Sequence, residues 1–192
     1  DYNLINGGVT AGEEIEYFII AQDDSPLSLV RTTSGEFSSL ITSTALDASH
    51  FPVSAVEHFY KISVPFAGVV DVGVGKPYTS LTNPGGLFEA LNSAMLVGNL
   101  LVRVTSDLNE SGAIPLLQFE TENNAKYSVT IYPTGQYTIN GSATYATIQI
   151  KDADNVTIDG RINRTGSTNS LTITNDQTSA AVIWINRSTA PG

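Results

Sequence analysis

Apolar residues recur along this chain in short alternating runs, and helical stripes are scarce. Residues 10 to 22 place Ile15, Tyr17, Ile19 and Ala21 at period two, ahead of the turn-prone Asp23-Asp24-Ser25-Pro26, a pattern that predicts one strand. Residues 27 to 58 are rich in Ser and Thr with weak periodicity, and predict loops and short strands in a linker or peripheral layer. Strand pattern returns over His58 to Val64 and over Gly68 to Val74, before the Gly75-Lys76-Pro77 turn. The division is therefore placed near residue 67, with a partial unit over 1–67 and a second over 68–192.

One helix is expected, at about 84 to 97. Asn83 is positioned to cap it and Pro84 suits a first turn. Leu87, Phe88, Leu91, Ala94 and Met95 form an apolar stripe, and Gly98 supplies a stop. Directly before a long β-rich stretch, such a helix is suited to cover the open end of a sheet structure.

After the helix comes a repeat. Short runs begin at Val102, Val129, Val156 and Val182, with spacings of 27, 27 and 26 residues. A second track, Ile148-Gln149-Ile150 and Leu171-Thr172-Ile173, has a spacing of 23. Two interleaved tracks of common period are what stacked coils of a β-solenoid produce. Val129 and Ile131, Val156 and Ile158, and Leu171 and Ile173 then point inward, while Thr130, Thr157 and Thr172 point out. Asn140-Gly141, Asp159-Gly160 and Asn175-Asp176 are placed at turns. A β-sandwich with evenly spaced strands is the alternative arrangement.

Composition agrees with an all-β chain: 21 Thr, 19 Ser, 14 Asn and 16 Gly among 192 residues, with only 15% charged. The net charge of -10 argues against nucleic acid and acidic lipid surfaces as partners. No apolar run reaches the roughly 20 residues of a membrane helix, so membrane insertion is not expected. The absence of cysteine removes disulfides, thiolate metal sites and cysteine nucleophiles. Both ends read as cuts through a longer protein.

Asp154-Asn155-Val156-Thr157-Ile158-Asp159-Gly160 resembles the coil motif of right-handed parallel β-helix proteins of the pectin-lyase-like superfamily. With Gly75 to Leu81, Leu87 to Asn92 and Tyr127 to Pro133, the string over about residues 68 to 186 is similar to a subset found in large exported proteins of Bacteroidota-type bacteria. Gly12 to Asp23 is similar to the late strands of an Ig-like or fibronectin-type sandwich. The resemblance implies a right-handed parallel β-helix with an N-terminal capping helix, preceded by Ig-like strands. It further implies a secreted or cell-surface protein of the adhesin or glycan-active kind, delivered by type IX secretion.

In β-helix lyases, carboxylates hold calcium that neutralises a uronate while an Arg or Lys acts as base. The resemblance therefore makes Asp152, Asp154 and Asp159 the candidate calcium ligands, with Lys151, Arg161 and Arg164 the nearest basic residues. The other reading is that these are turn and ladder residues that cap coil backbones. Asp107, Asn109, Glu110, Ser111 and Gly112 form a polar loop, read either as solvated or as a calcium turn. Glycoside hydrolysis needs carboxylates gathered from successive coils, but the outward positions here are Arg103, Thr130, Thr157, Ile183, Gln149 and Thr172. No catalytic residue and no cofactor are assigned.

His50 and His58 stand eight apart with no Gly-x-Ser-x-Gly elbow, and carry no assigned chemistry. Trp184 is expected inward, whereas Tyr132, Tyr137 and Tyr145 are taken as exposed aromatics able to stack on a sugar ring. The five Asn-x-Ser/Thr sequons, at Asn109, Asn140, Asn155, Asn163 and Asn186, are what composition alone gives.

The leading expectation is a non-enzymatic extracellular fragment that binds glycans or secretion machinery. The alternatives are the N-terminal part of a polysaccharide lyase or glycosidase with catalytic coils beyond Gly192, and a passenger held by secretion machinery.

Overall fold

The structure is a computed structural model that describes residues 9–10, 12–22, 30–33 and 58–187. It divides into two compact units, Asp1–Ser63 and Val64–Gly192. The turn expected at Asp23 to Pro26, most of the Ser/Thr-rich segment and His50 lie outside the described residues.

In the first unit the strand expected over 10 to 22 is two short ones, β1 (Glu14–Glu16) and β2 (Ile20–Gln22). They are joined by β3 (Val30–Thr32) and β4 (Phe59–Lys61). β1 pairs antiparallel with β4, and β2 with β3. The break has a visible cause: the chain changes partner. Tyr17 N–H still donates to the His58 carbonyl, whereas Ile19 N–H donates to the Thr33 hydroxyl and the Ile19 carbonyl accepts from Thr33 N–H.

The second unit is a β-solenoid with three faces. The first face stacks β5 (Val64–Val72), β6 (Ala94–Val104), β9 (Val129–Pro133) and β12 (Val156–Ile158), all parallel. The second stacks β7 (Leu108–Glu110), β10 (Tyr137–Gly141) and β13 (Leu171–Asn175). The third stacks Leu116, β11 (Ala146–Lys151) and β14 (Ala181–Asn186). A short β8 (Glu120–Thr121) pairs with the start of β6. β5 begins at Val64, so residues 64 to 67 run in the solenoid's first strand.

Each face turns rows of aliphatic side chains inward. On the first face Leu100, Val129 and Val156 form one row, in register with Gly68 of β5, and Val70, Val102, Ile131 and Ile158 form the next. Leu108, Ile139 and Ile173 line the second face, while Leu116, Ile148 and Ile150 line the third, with Ile183 and Ile185 following in register on β14 and exposed. The central members Val102, Val129, Ile131, Ile139 and Ile148 are fully buried, each stabilising the fold by about 1.5–3 kcal/mol. Thr130, Thr157 and Thr172 point away, as expected.

The register corrects the repeat read from sequence. Val129 sits beside Leu100, 29 residues earlier, and Val102 sits beside Ile131. The run at Val182 belongs to the third face with β11, and the Ile148 and Leu171 runs are on different faces. Asn140 and Gly141 are inside β10 rather than at a turn. A side chain at Gly141 would collide with Thr147, which explains the glycine in a strand.

The helix α1 covers only Leu87–Asn92, with Gly86 at its N-cap. Leu87, Phe88 and Leu91 enter the core as anticipated, but Ala94 and Met95 begin β6. Gly98 stops nothing: it lies in the bulge that β6 makes in its pairing with β5, where a Cβ would come within 3.1 Å of the Ala67 methyl. No helix among the described residues is long and apolar enough to cross a membrane.

Candidate functional site

Asn83 has another use than capping α1. Its side-chain amide donates to the Asn109 carbonyl at 2.9 Å and accepts from Ser111 N–H at 2.7 Å. Asn92 does the same one face further on, donating to the Pro115 carbonyl and accepting from Leu117 N–H, both at 2.9 Å. A residue of a parallel strand bonds its neighbour's backbone with this donor–acceptor spacing. The two amides therefore stand in for a missing coil and close the edges of the second and third faces. Between them Glu110, expected in a solvated or calcium-binding loop, is buried in β7. Its carboxylate accepts from Leu81 N–H, from Thr82 N–H and hydroxyl, and from the Ser80 hydroxyl, at 2.6–2.8 Å.

Of the three candidate calcium ligands, Asp152 and Asp154 line one groove of about 350 Å3 with Ile185, Asn186 and Arg187. Asp154 pairs with Arg187 at 3.4 Å, and Asp152 has left-handed backbone at a corner where its N–H donates to the Asn186 carbonyl. Asp159 is apart from that groove and is gripped by Arg161 through Nε at 2.9 Å and Nη2 at 2.7 Å. That fork holds the Asp159 carboxyl down to about 2. Among the described residues no three His, Cys, Asp or Glu side chains gather as a metal-ligand group. Lys151 is exposed on the third face, while Arg161 precedes the short 3-10 turn Ile162–Arg164 and Arg164 is its last residue.

The outward side of the first face carries a polar row missed by sequence reasoning. Asp71, Arg103 and Tyr132 are in register on β5, β6 and β9, and Asp159 follows β12 beside them. Arg103 Nε donates to Asp71 at 2.6 Å and Lys76 pairs with the same carboxylate at 3.2 Å. The hydrogen bond from Arg103 holds Asp71 below the usual carboxylate range. The Arg164 guanidinium sits 5.2 Å from the centre of the Tyr132 ring, a cation–π distance. Residues 103, 132 and 159 repeat at 29 and 27, the period of this face. That period was the available signal.

The aromatic assignments change places. Tyr132 is buried under Arg164 and Tyr137 is half-buried. Trp184, expected inward, pairs in register with Gln149, whose neighbours Ile148 and Ile150 are buried; it therefore points out. Ile183, expected outward, takes the inward register with Ile148. Trp184 is 43% exposed and Tyr145 67%, with ring centres 6.3 Å apart and planes inclined by 34°. Two exposed aromatic rings thus lie side by side, Trp184 on β14 and Tyr145 in the bend just before β11. His58, given no chemistry, stacks on Tyr17 in the first unit at 5.6 Å.

Comparison with protein-family models, with curated proteins and with solved structures found no match. The fold and its surface define an all-β, solenoid-bearing chain.

Proposed function

We propose that this chain is a non-enzymatic glycan-binding β-helix of a secreted or cell-surface bacterial protein, with Tyr145 and Trp184 as its sugar-stacking platform. In this reading the coils belong with the right-handed helices of the pectin-lyase-like superfamily. The antiparallel pairs of the first unit are the late strands of an Ig-like sandwich, and the protein reaches the surface as a type IX secretion cargo. The observation that carries the reading is the exposed Tyr145–Trp184 pair. Trp184, held in β14, and Tyr145, in the bend just before β11, offer apolar faces to the C–H side of a sugar ring.

Trp184 is the chain's only tryptophan, so its emission reports on the platform directly. Titration of the full chain with a panel of neutral oligosaccharides is expected to shift that emission for at least one member. Tyr145→Ala is expected to weaken the response. A panel that leaves the emission unchanged, or binding that survives Y145A and W184A together, would overturn the reading. Release of cleaved oligosaccharide would replace it with an enzymatic one.

A further inference from the structure

The outward row on the first face is unusual in a chain of net charge -10. Four of the nine basic residues, Lys76, Arg103, Arg161 and Arg164, gather on it, and among the described residues two carboxylates, Asp71 and Asp159, pair with them. The acids lie beneath the bases. Arg103 is 41% exposed over Asp71 at 20%, and Arg161 is 42% exposed over Asp159 at 14%. The surface therefore presents cations, carries a local excess of two positive charges, and runs along the solenoid axis across four strands, about 14 Å at the usual strand spacing.

The spent and unspent donors indicate what fits. Asp159 already occupies the side-on fork of Arg161, and Asp71 holds both Arg103 Nε and the Lys76 ammonium. Left facing outward are the terminal amino groups of Arg103, the remaining N–H bonds of Lys76 and the Arg164 guanidinium, which has no ion-pair partner among the described residues. A carboxylate is best bound by one planar fork; the Arg161 fork is taken and Arg164 alone keeps its whole fork open, whereas Arg103, Lys76 and Arg164 together offer donors on three separate side chains. A tetrahedral oxyanion ester directs three terminal oxygens apart and suits separate donors from different side chains.

We infer that the row Asp71–Arg103–Tyr132–Asp159, with Lys76 and Arg164 beside it, is a binding site for sulfate or phosphate esters; that a polysaccharide carries them rests on the glycan-binding reading above. Asp71 and Asp159 hold the guanidinium groups in place, and Tyr132 seats Arg164. The site lies on a different face from the Tyr145–Trp184 platform and does not depend on it.

The test is binding of the full chain to dextran sulfate and to a phosphorylated mannan, followed over a salt series, with neutral dextran and polyglutamate as comparators. The sulfate and phosphate arms identify the source of the oxyanion, and binding to either supports the site. The parent is expected to bind at least one of them in a salt-dependent way and to bind polyglutamate more weakly. Lys76→Gln with Arg164→Gln is expected to reduce affinity roughly tenfold, as loss of two charge-assisted contacts implies. Lys126→Gln with Lys151→Gln, two exposed cations elsewhere, is expected to change little. The inference fails if the parent binds neither ester polymer. It also fails if K76Q/R164Q binds like the parent, if K126Q/K151Q loses as much, or if polyglutamate binds as tightly. Retained binding in Y145A/W184A separates this site from the platform, and loss there would overturn it.

Discussion

Glu110 grips Thr82 twice, its Oε2 accepting from the Thr82 N–H at 2.7 Å and from the Thr82 hydroxyl at 2.6 Å. Both residues are buried, and no cation balances the carboxylate among the described ion pairs. Four donors from residues 80 to 82 solvate it instead, fixing the segment that leads into α1 to the end of β7, the first strand of the second face.

Replacing Glu110 by Gln would turn an amide N–H2 toward groups that only donate or prefer to donate. The expected cost is about 2–3 kcal/mol, from leaving buried donors without an acceptor. Chemical denaturation of the two proteins side by side measures it, and a loss below 0.5 kcal/mol would show the four bonds to be dispensable.

Asn92 and Asn83 close strand edges, so their loss should appear in solution behaviour as well as in stability. Asn92→Asp keeps the size but aims a carboxylate oxygen at the Pro115 carbonyl, removing one bond and adding repulsion. A destabilisation of about 1–2 kcal/mol is expected. The N83A/N92A pair, which adds no charge, should also associate at concentrations where the parent is monomeric, because unpaired edges recruit other strands. Sedimentation velocity decides it: equal distributions for parent and double variant would refute the edge-closing role.

The residues that build this solenoid were readable in sequence where a triplet has clean alternation. Val-Thr-Ile at 129 and again at 156 gives face, direction and stacking at once. Reading failed where alternation is missing. Ala181 to Ile185 are all apolar, so only the partner strand tells that Trp184 faces out with Gln149. The three faces also repeat at different intervals: 29 and 27 between Leu100, Val129 and Val156, but 34 between Ile139 and Ile173 and 35 between Ile148 and Ile183. The longer intervals include the corner with the 3-10 turn at 162–164, and a single assumed period merges the faces. The closing amides of Asn83 and Asn92 were invisible for another reason. Their partners are 23 to 28 residues away and are backbone atoms, which leave no trace in residue type.

Position along the stack grades the tolerance for charge. Ile131 is fully buried between Val102 and Ile158, whereas Ile158 is on β12, at the edge of its sheet, and is half-buried. Ile131→Asp is expected to prevent folding of the second unit, since it leaves an unpaired charge among aliphatic side chains. Ile158→Asp is expected to fold with a clearly lower Tm. Far-UV circular dichroism and thermal melts compare them, and equal effects would contradict the graded core.

The Asp159–Arg161 fork predicts how stability depends on acid. Folding lowers the Asp159 carboxyl from the ordinary range near 3.8 to about 2, through the Arg161 side-chain hydrogen bonds first and its backbone N–H second. Because the folded value lies below the unfolded one, the contribution is fully present above about pH 4, where unfolded Asp titrates. It is lost as pH falls through about 2, once the folded state also takes up the proton. Asp159→Asn removes this contribution and leaves Asp71 as it was. The Tm difference between parent and variant should therefore be constant from pH 7 down to about 5, narrow between about 4 and 2, and vanish below. Thermal melts across that range test it, and a difference that persists undiminished at pH 2 would mean the fork does not set the Asp159 titration.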